Sequence, residues 1–315
     1  MPSNPKILAI VGPTGSGKTP LSLRLAEHLG GEVVSADSRQ IYKFLDIGTA
    51  KPTKEDLARV KHHFVSMLDP KQDFSAGEYG RLARETINEL LAKKRLPILV
   101  GGSGLYVKAV VDGFFDGPGR DSELRAKLEE RLERDGKESL YKTLCEVDPA
   151  SAATMDASKP RRVLRALEIF YITGKPISRW HQDQQTEPPF AVQQYALDWE
   201  RKELYNRIDN RVGEMIAHGL IEEVKNLSKQ GYGRELNALN TVGYVEVFDY
   251  LDGKFSLNEM TDLIKRNTRR FAKRQMTWFR ADKRIRWIPV NGSEDFEGVA
   301  KRIAANFLAR DKKPA

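Results

Sequence analysis

A single cysteine, Cys145, among 315 residues leaves no pair for an internal disulfide and no set for a cysteine-based zinc module. The chain also lacks any run of about eighteen apolar residues, which excludes a membrane-spanning helix, and it has no charged-then-apolar leader at its start. A soluble, cytoplasmic protein is expected. Internal repeats and low-complexity tracts are missing, so a solenoid or a long disordered linker is not expected either. Acidic charge is in deficit: 44 Asp and Glu against 52 Lys and Arg leave a net charge of +8. That balance fits a polyanionic partner, and it fits a merely basic surface equally well. With 40% hydrophobic residues the chain can bury one substantial core and carry a smaller second domain.

What is present begins with Gly12-Pro13-Thr14-Gly15-Ser16-Gly17-Lys18-Thr19, which satisfies the phosphate-loop pattern G-x-x-x-x-G-K-[ST] at every fixed position. The run Lys6–Val11 before it is short, apolar and rich in β-branched residues. Leu21, Leu25, Ala26 and Leu29 after it recur at helical spacing, so the loop joins a buried strand to a helix. In that geometry the backbone N–H groups of residues 14 to 19 can ring a phosphate at a helix N-terminus. Lys18 then serves as a point charge and the Thr19 hydroxyl as a magnesium ligand. The loop alone leaves open whether the phosphate belongs to ATP, GTP or another molecule.

Residues 32–36 read as a second buried strand, and Leu96–Val100 as a further one. Both alternate with helical stretches, which implies a parallel sheet covered by helices on both faces. Ligands gather at the carboxyl ends of such strands, where Asp37 and Ser103 lie. Asp37 is a candidate base facing the loop. Ser103 offers a hydroxyl, or an N-cap for the helix that follows. The strand ending at Val100 is followed by glycine, where an ATPase would carry a magnesium-holding Asp. His62 to Met67 reads as another strand, whose adjacent histidines face opposite ways and so do not share a metal. From Phe114 to Phe190 strand character disappears and short helices follow, with Gly117-Pro118-Gly119 and Glu187-Pro188-Pro189 as punctuation. Strand character returns at residues 194–199. In the next helix Arg207 and Arg211 share a face. The helix predicted over 257–280 gathers Lys265, Arg266, Arg269, Arg270, Lys273, Arg274 and Arg280 beside Trp278 and Phe279, a mixture suited to RNA backbone and unstacked bases. Leu263, Ile264 and Phe271 are expected to form its buried stripe.

GPTGSGKT followed by SADSRQIYKFLDIGTAKP, LVGGSGLYVKA, RRVLRALEIF, LYNRIDNR, LNTVGYVE and KRQMTWFR resembles, in order and over residues 7 to 288, the bacterial type of the tRNA dimethylallyltransferases, or tRNA isopentenyltransferases. The resemblance implies an α/β, P-loop NTPase-like core from residues 1–114 and 191–315, with a helical insertion over 115–190 that contacts tRNA. It implies transfer of a dimethylallyl group from dimethylallyl diphosphate to N6 of the adenosine 3′ of the anticodon, in tRNAs reading codons that begin with U. Gly12 to Thr19 would then hold the donor's diphosphate with Mg²⁺. Asp37 would accept the amine proton, Ser103 would hydrogen-bond the amine or a donor oxygen, and Lys18 and Arg211 would stabilise the leaving diphosphate. Asp37, Ser38, Arg39 and Gln40 would read the flipped adenosine. Arg161, Arg162, Arg165, Thr241, Val242, Gly243, Tyr244, Lys273, Arg274, Gln275, Trp278 and Arg280 would grip the anticodon stem-loop. A monomer is expected. Pro20 departs from the charged or small residue of many members, and the zinc finger of eukaryotic members is absent. The competing readings are a P-loop small-molecule kinase, an adenylate isopentenyltransferase acting on free nucleotides, and a non-catalytic RNA-binding module.

Overall fold

The computed structural model describes residues 5–113, 119, 121–183, 188–292 and 295–309. In chain order the elements are β1 (Lys6–Val11), α1 (Lys18–Leu29), β2 (Gly31–Ser35), α2 (Lys54–Arg59), β3 (His62–His63), α3 (Ala76–Ala92), β4 (Leu96–Gly101) and α4 (Gly104–Val111). Then come α5 (Ser122–Val147), α6 (Pro149–Ala152), α7 (Pro160–Thr173) and α8 (Ile177–Asp183). The chain closes with β5 (Ala191–Trp199), α9 (Arg201–Ala217), α10 (Leu220–Lys229), α11 (Tyr244–Leu251), α12 (Leu257–Ala281), β6 (Ile285–Val290) and α13 (Phe296–Ala309). Two units form: Met1–Ser75 with Tyr79–Val111 and Pro188–Ala315, and Ala76–Glu78 with Asp112–Glu187. The turn signals at Gly117-Pro118 and at Glu187 lie outside the described residues. Among the described residues no helix is long and apolar enough to cross a membrane.

The first unit is built on one parallel sheet of order β3-β2-β4-β1-β5-β6. β1 is buried along almost its whole length because it pairs with β4 on one side and β5 on the other. Strand alternation turns Leu8, Ile10, Ile98, Val100, Tyr195 and Leu197 to one face, where they join Leu21 and Leu25 of α1 and Val299 and Ile303 of α13 in a single apolar cluster. The alternate residues Ile7, Ala9, Val11 and Leu99 are buried as well, the pattern of a sheet covered on both sides. Truncating Leu25 to alanine would leave a cavity costing about 2–5 kcal/mol. All strands being parallel, the segments after β1, β2 and β4 leave from the same edge. The chain runs from β1 to β2 and β3, returns to β4, then crosses to β5 and β6, so its direction switches beside β1 and β4.

Two expectations are corrected in this unit. The strand read over 62–67 stops at His63, since Phe64 (φ 62°) and Ser66 (φ 51°) turn the backbone away. The N–H groups of Ser66 and Met67 donate instead to the carbonyls of Gln40 and Ile41. His63 pairs with Glu32 at 2.8 Å, and His62 Nδ1 lies 2.7 Å from the Val60 carbonyl. Phe271, expected in the core, is 40% exposed beneath the Arg274 guanidinium. The inward stripe of α12 is Met260, Ile264, Ala272, Gln275 and Phe279, and Phe271 sits one position off it, about 100° around the helix.

The second unit is helical. α5 reads as two helices interrupted at Gly136 (φ 80°), and its Leu128, Leu140 and Leu144 pack with Val163, Leu164 and Leu167 of α7. α6 and α8 escape the sequence pattern because they are too short to show a period. One buried carboxylate, Asp148, organises both: Oδ1 accepts from the Ser151 N–H and Oδ2 from the Ser178 N–H. Glu168, fully buried, faces Arg165 at 2.9 Å and Arg125 at 3.5 Å.

Candidate active site

The loop after β1 is shaped by side chains that take its carbonyls. Ser16 Oγ donates to the Pro13 carbonyl at 2.8 Å, Trp199 Nε1 to that of Ser16 at 2.9 Å, and Arg207 Nε to that of Gly15 at 2.8 Å. The Arg207 guanidinium also lies 4.3 Å from the centroid of the Trp199 ring. Gly17 caps α1 with φ 88°, and a Cβ there would fall 2.4 Å from the Phe296 ring, so both backbone and packing demand glycine. Pro20 sits in the first turn of α1, where its missing N–H costs nothing.

Lys18 Nζ donates to the Pro13 carbonyl at 2.6 Å. Its surroundings pull its pKa down to about 7: burial does most, the nearby Arg211 adds to it, and Asp37 opposes. Burial likewise lowers the pKa of Arg211 from its ordinary value, again with Asp37 opposing, though a guanidinium stays charged. Arg211 Nη1 reaches Thr14 Oγ1 at 3.3 Å. Two cations therefore crowd one small volume, with Asp37 acting on both and Glu214 on Arg211 alone. An anion with more than one negative charge would relieve them.

Asp37 follows β2. Its Oδ1 accepts from the N–H groups of Arg39 (2.9 Å) and Gln40 (3.2 Å), an Asx-type turn that holds the carboxylate in place. Among the described residues Oδ2 accepts no hydrogen bond, so this oxygen is the one available to a proton. Ser103 lies next to it through the backbone, its N–H donating to the Ala36 carbonyl at 3.1 Å. A Cβ on Gly101 would fall 2.1 Å from the Ala36 oxygen. The position where an ATPase strand carries its metal-holding Asp is thus closed to any side chain. Beneath this edge Tyr79 donates to the Ser35 carbonyl at 2.9 Å and stacks on Tyr106 with ring centroids 4.0 Å apart. Burial, then Tyr106 and Asp37, push the Tyr79 hydroxyl's pKa well up, so it remains a donor.

The loop, Lys18, Arg211, Asp37 and Ser103 are brought together. Other expected contacts are placed differently. Gln275, read as an RNA contact, is 8% exposed: its Oε1 accepts from the Thr14 N–H and its Nε2 donates to the Gly102 carbonyl, each at 2.9 Å. It faces inward because it occupies the buried stripe of α12, and it takes one of the six loop amides expected around the phosphate. Tyr244 is fully buried, with its hydroxyl on Glu223 at 2.6 Å and its ring against Gly48, so it presents no surface to RNA. Gly243 is buried and donates to Glu246; Thr241 and Val242 are half-buried. Gln40 spends its amide on the carbonyls of Thr49 and Ala50, Arg39 donates to that of Asn237, and Ser38 is half-buried. Lys273 and Arg274 are exposed, and Trp278 is 40% exposed with its indole lying over Gly104. Arg280 pairs with Asp198 at 2.6 Å and covers Trp287. In the second unit Arg161 and Arg162 are exposed at the start of α7, while Arg165 pairs with Glu168. Sequence reasoning missed Trp199 and Tyr79, which read as ordinary core residues; it placed Arg207 on the face of Arg211 without foreseeing that Arg207 donates to the Gly15 carbonyl. Gln275 had one available signal, a polar residue at a helix position whose period points inward.

The IPP transferase family model matches residues 40–282. The chain is 45% identical over 302 residues to the tRNA dimethylallyltransferase of Pelotomaculum thermopropionicum, covering 95% of each, and 46% identical over 309 residues to that of Geobacter sulfurreducens, covering 97% and 98%. Its fold is similar to the crystal structure of the full-length tRNA isopentenylpyrophosphate transferase of Bacillus halodurans, with a TM-score of 0.70, 40% identity and coverage of 97% and 98%. A eukaryotic dimethylallyltransferase acting on tRNA aligns with a TM-score of 0.82 and 26% identity, over 98% of this chain and 80% of that one. A P-loop edge with a free carboxylate oxygen, a strand end closed to a metal-holding Asp, and relatives matched along nearly the whole chain lead to one assignment: the chain belongs to the IPP transferase family.

Proposed function

We propose that this protein transfers the dimethylallyl group of dimethylallyl diphosphate to N6 of the adenosine 3′ of the anticodon in tRNAs that read codons beginning with U. The observation that carries this reading is Asp37, held by Oδ1 with Oδ2 open, beside a loop whose two crowded cations call for a multiply charged anion. The adenine amine is a weak nucleophile because its lone pair is delocalised, so bond formation needs a group that takes its proton. The flipped base would bring N6 to Asp37 Oδ2. A bond forms between N6 and the allylic carbon, the carbon–oxygen bond to diphosphate breaks with its electron pair leaving on oxygen, and the N6 proton passes to Asp37. Lys18, Arg211 and the amides of residues 15 to 19 meet the charge that develops on diphosphate. Ser103 orients the amine or a donor oxygen.

Mg²⁺ belongs to this reading. Among the described residues no group of three or more His, Cys, Asp or Glu could hold a metal, and by the phosphate-loop pattern the protein's own donor would be the Thr19 hydroxyl at the head of α1. That donor set fits Mg²⁺, which binds through few protein groups and the oxygens of its phosphate ligand. When bound, the ion would neutralise charge on the diphosphate. In the first unit the exposed Lys273, Arg274 and Trp278, and in the second unit, taken by itself, the exposed Arg161 and Arg162, are the groups offered to the anticodon stem-loop. We read the protein as a cytoplasmic monomer.

The test is incubation with labelled dimethylallyl diphosphate and bulk tRNA or free AMP, followed by nucleoside analysis. Label in N6-dimethylallyladenosine from tRNA is expected. Label on AMP, or none on either, overturns the reading.

A further inference from the structure

Two strand ends part company beside the donor site, and one side chain joins them. β1 and β4 pair in register up to Val11 and Gly101, after which the phosphate loop and the Gly102-Ser103 segment diverge. Gln275, 261 residues from Thr14 and 173 from Gly102, takes the N–H of the one and gives to the carbonyl of the other, each at 2.9 Å. Its primary amide does what a backbone peptide unit would do in one further rung of the sheet. A Cβ on Gly102 would lie 2.5 Å from Nε2, so the fit depends on glycine. Thr14 is held at its amide by Gln275 and at its hydroxyl by Arg211. Trp278, one turn further along α12, lies over Gly104, the residue after Ser103.

We propose that Gln275 is a positioning residue, which holds the phosphate loop in its anion-binding shape from the inner face of α12 without touching RNA. The proposal rests on the prenyl-transfer reading for its kinetic test, while its binding test needs only an anion. Losing both bonds frees the Thr14 amide to rotate and leaves a buried donor and acceptor unpaired, which the loop would accommodate by moving. Gln275→Met keeps the length and volume of the side chain and removes both bonds. Gln275→Glu, when protonated, regains them, since a carboxylic acid accepts at one oxygen and donates from the other; ionised, it can no longer donate to the Gly102 carbonyl.

The experiment measures inorganic pyrophosphate binding by calorimetry and anticodon stem-loop binding by fluorescence, for the wild type and Gln275→Met, with circular dichroism confirming that both are folded. Pyrophosphate affinity about tenfold weaker, with RNA affinity unchanged within about twofold, is expected. Weaker RNA binding with unaltered pyrophosphate affinity would make Gln275 an RNA contact and overturn the proposal. In turnover assays the ratio of kcat/KM for the donor, Gln275→Glu over wild type, should rise several-fold between about pH 8 and about pH 6 as the acid form returns. A flat ratio overturns the positioning role. If the wild type itself prenylates no tRNA, the functional reading falls, and the pyrophosphate titration still decides the part of Gln275.

Discussion

Lys18 and Lys273 carry the same ammonium in two different solvents. Around Lys18 the loop, Arg211 and the core have displaced water, so its proton is held weakly, with a pKa near 7. Lys273 stands exposed on the outer face of α12 beside Arg274. The first cation gains a great deal from an anion enclosed with it, and salt hardly reaches it. The second would gain little from any one phosphate and, under the proposed function, would work by displacing counterions along a polyanion. Under the proposed function donor chemistry and RNA grip would therefore separate by burial, and substitution can break or sharpen that division.

The largest effect is expected at the carboxylate between the two substrates. Asp37→Ala should lower turnover at least about a hundredfold and leave stem-loop affinity within a few-fold, because it removes a proton acceptor and no phosphate contact. Single-turnover assays with saturating donor check this, and near-normal turnover would refute the role.

Lys18→Met should weaken donor binding and slow transfer together, by about tenfold or more in kcat/KM, with little dependence on ionic strength. A sharper form uses pH. The Lys18 pKa is lower in the folded protein than its ordinary value of 10.5, so between about 7 and 10.5 the unfolded chain binds more protons and the free protein gains stability as pH rises. A bound anion favours the ammonium and reverses the shift. Pyrophosphate binding near pH 8 should then take up as much as about one proton, seen when calorimetric enthalpies are compared across buffers of different ionisation enthalpy. Lys18→Met should abolish the uptake.

Smaller effects belong to the exposed face. Alanine at Lys273 and Arg274 should raise KM for tRNA, leave KM for the donor nearly unchanged, and reduce the slope of log K against log[salt] by somewhat under about one unit per cation. An unaltered slope would mean that this face is merely solvated. Smallest is the effect of Arg280→Ala on the same slope. Arg280 is already paired with Asp198 at 2.6 Å, so it should change RNA affinity less than Lys273 or Arg274 and be felt mainly as lost packing on Trp287.

The phosphate loop was legible in the sequence because its shape is local: glycine at a positive φ, a β-branched run before it and helical spacing after it are all written within about twenty residues. Asp37 was legible by the same route, since a strand's carboxyl end can be read from its run and parallel strands bring their ends to one edge. The helical unit was legible where its helices are long, and not at α6 and α8, whose stability comes from the Asp148 carboxylate and not from a periodic face. What only the tertiary structure decided is which polar groups are spent inside the protein. Gln275 and Tyr244 lie in stretches that look made for RNA, yet one is bonded to residues 261 and 173 positions away and the other to Glu223 beneath the loop at Gly48. Local pattern determines where a chain turns and which edge its loops share; whether a polar side chain meets solvent or closes a gap depends on how distant segments pack, and nothing in its near neighbours encodes that.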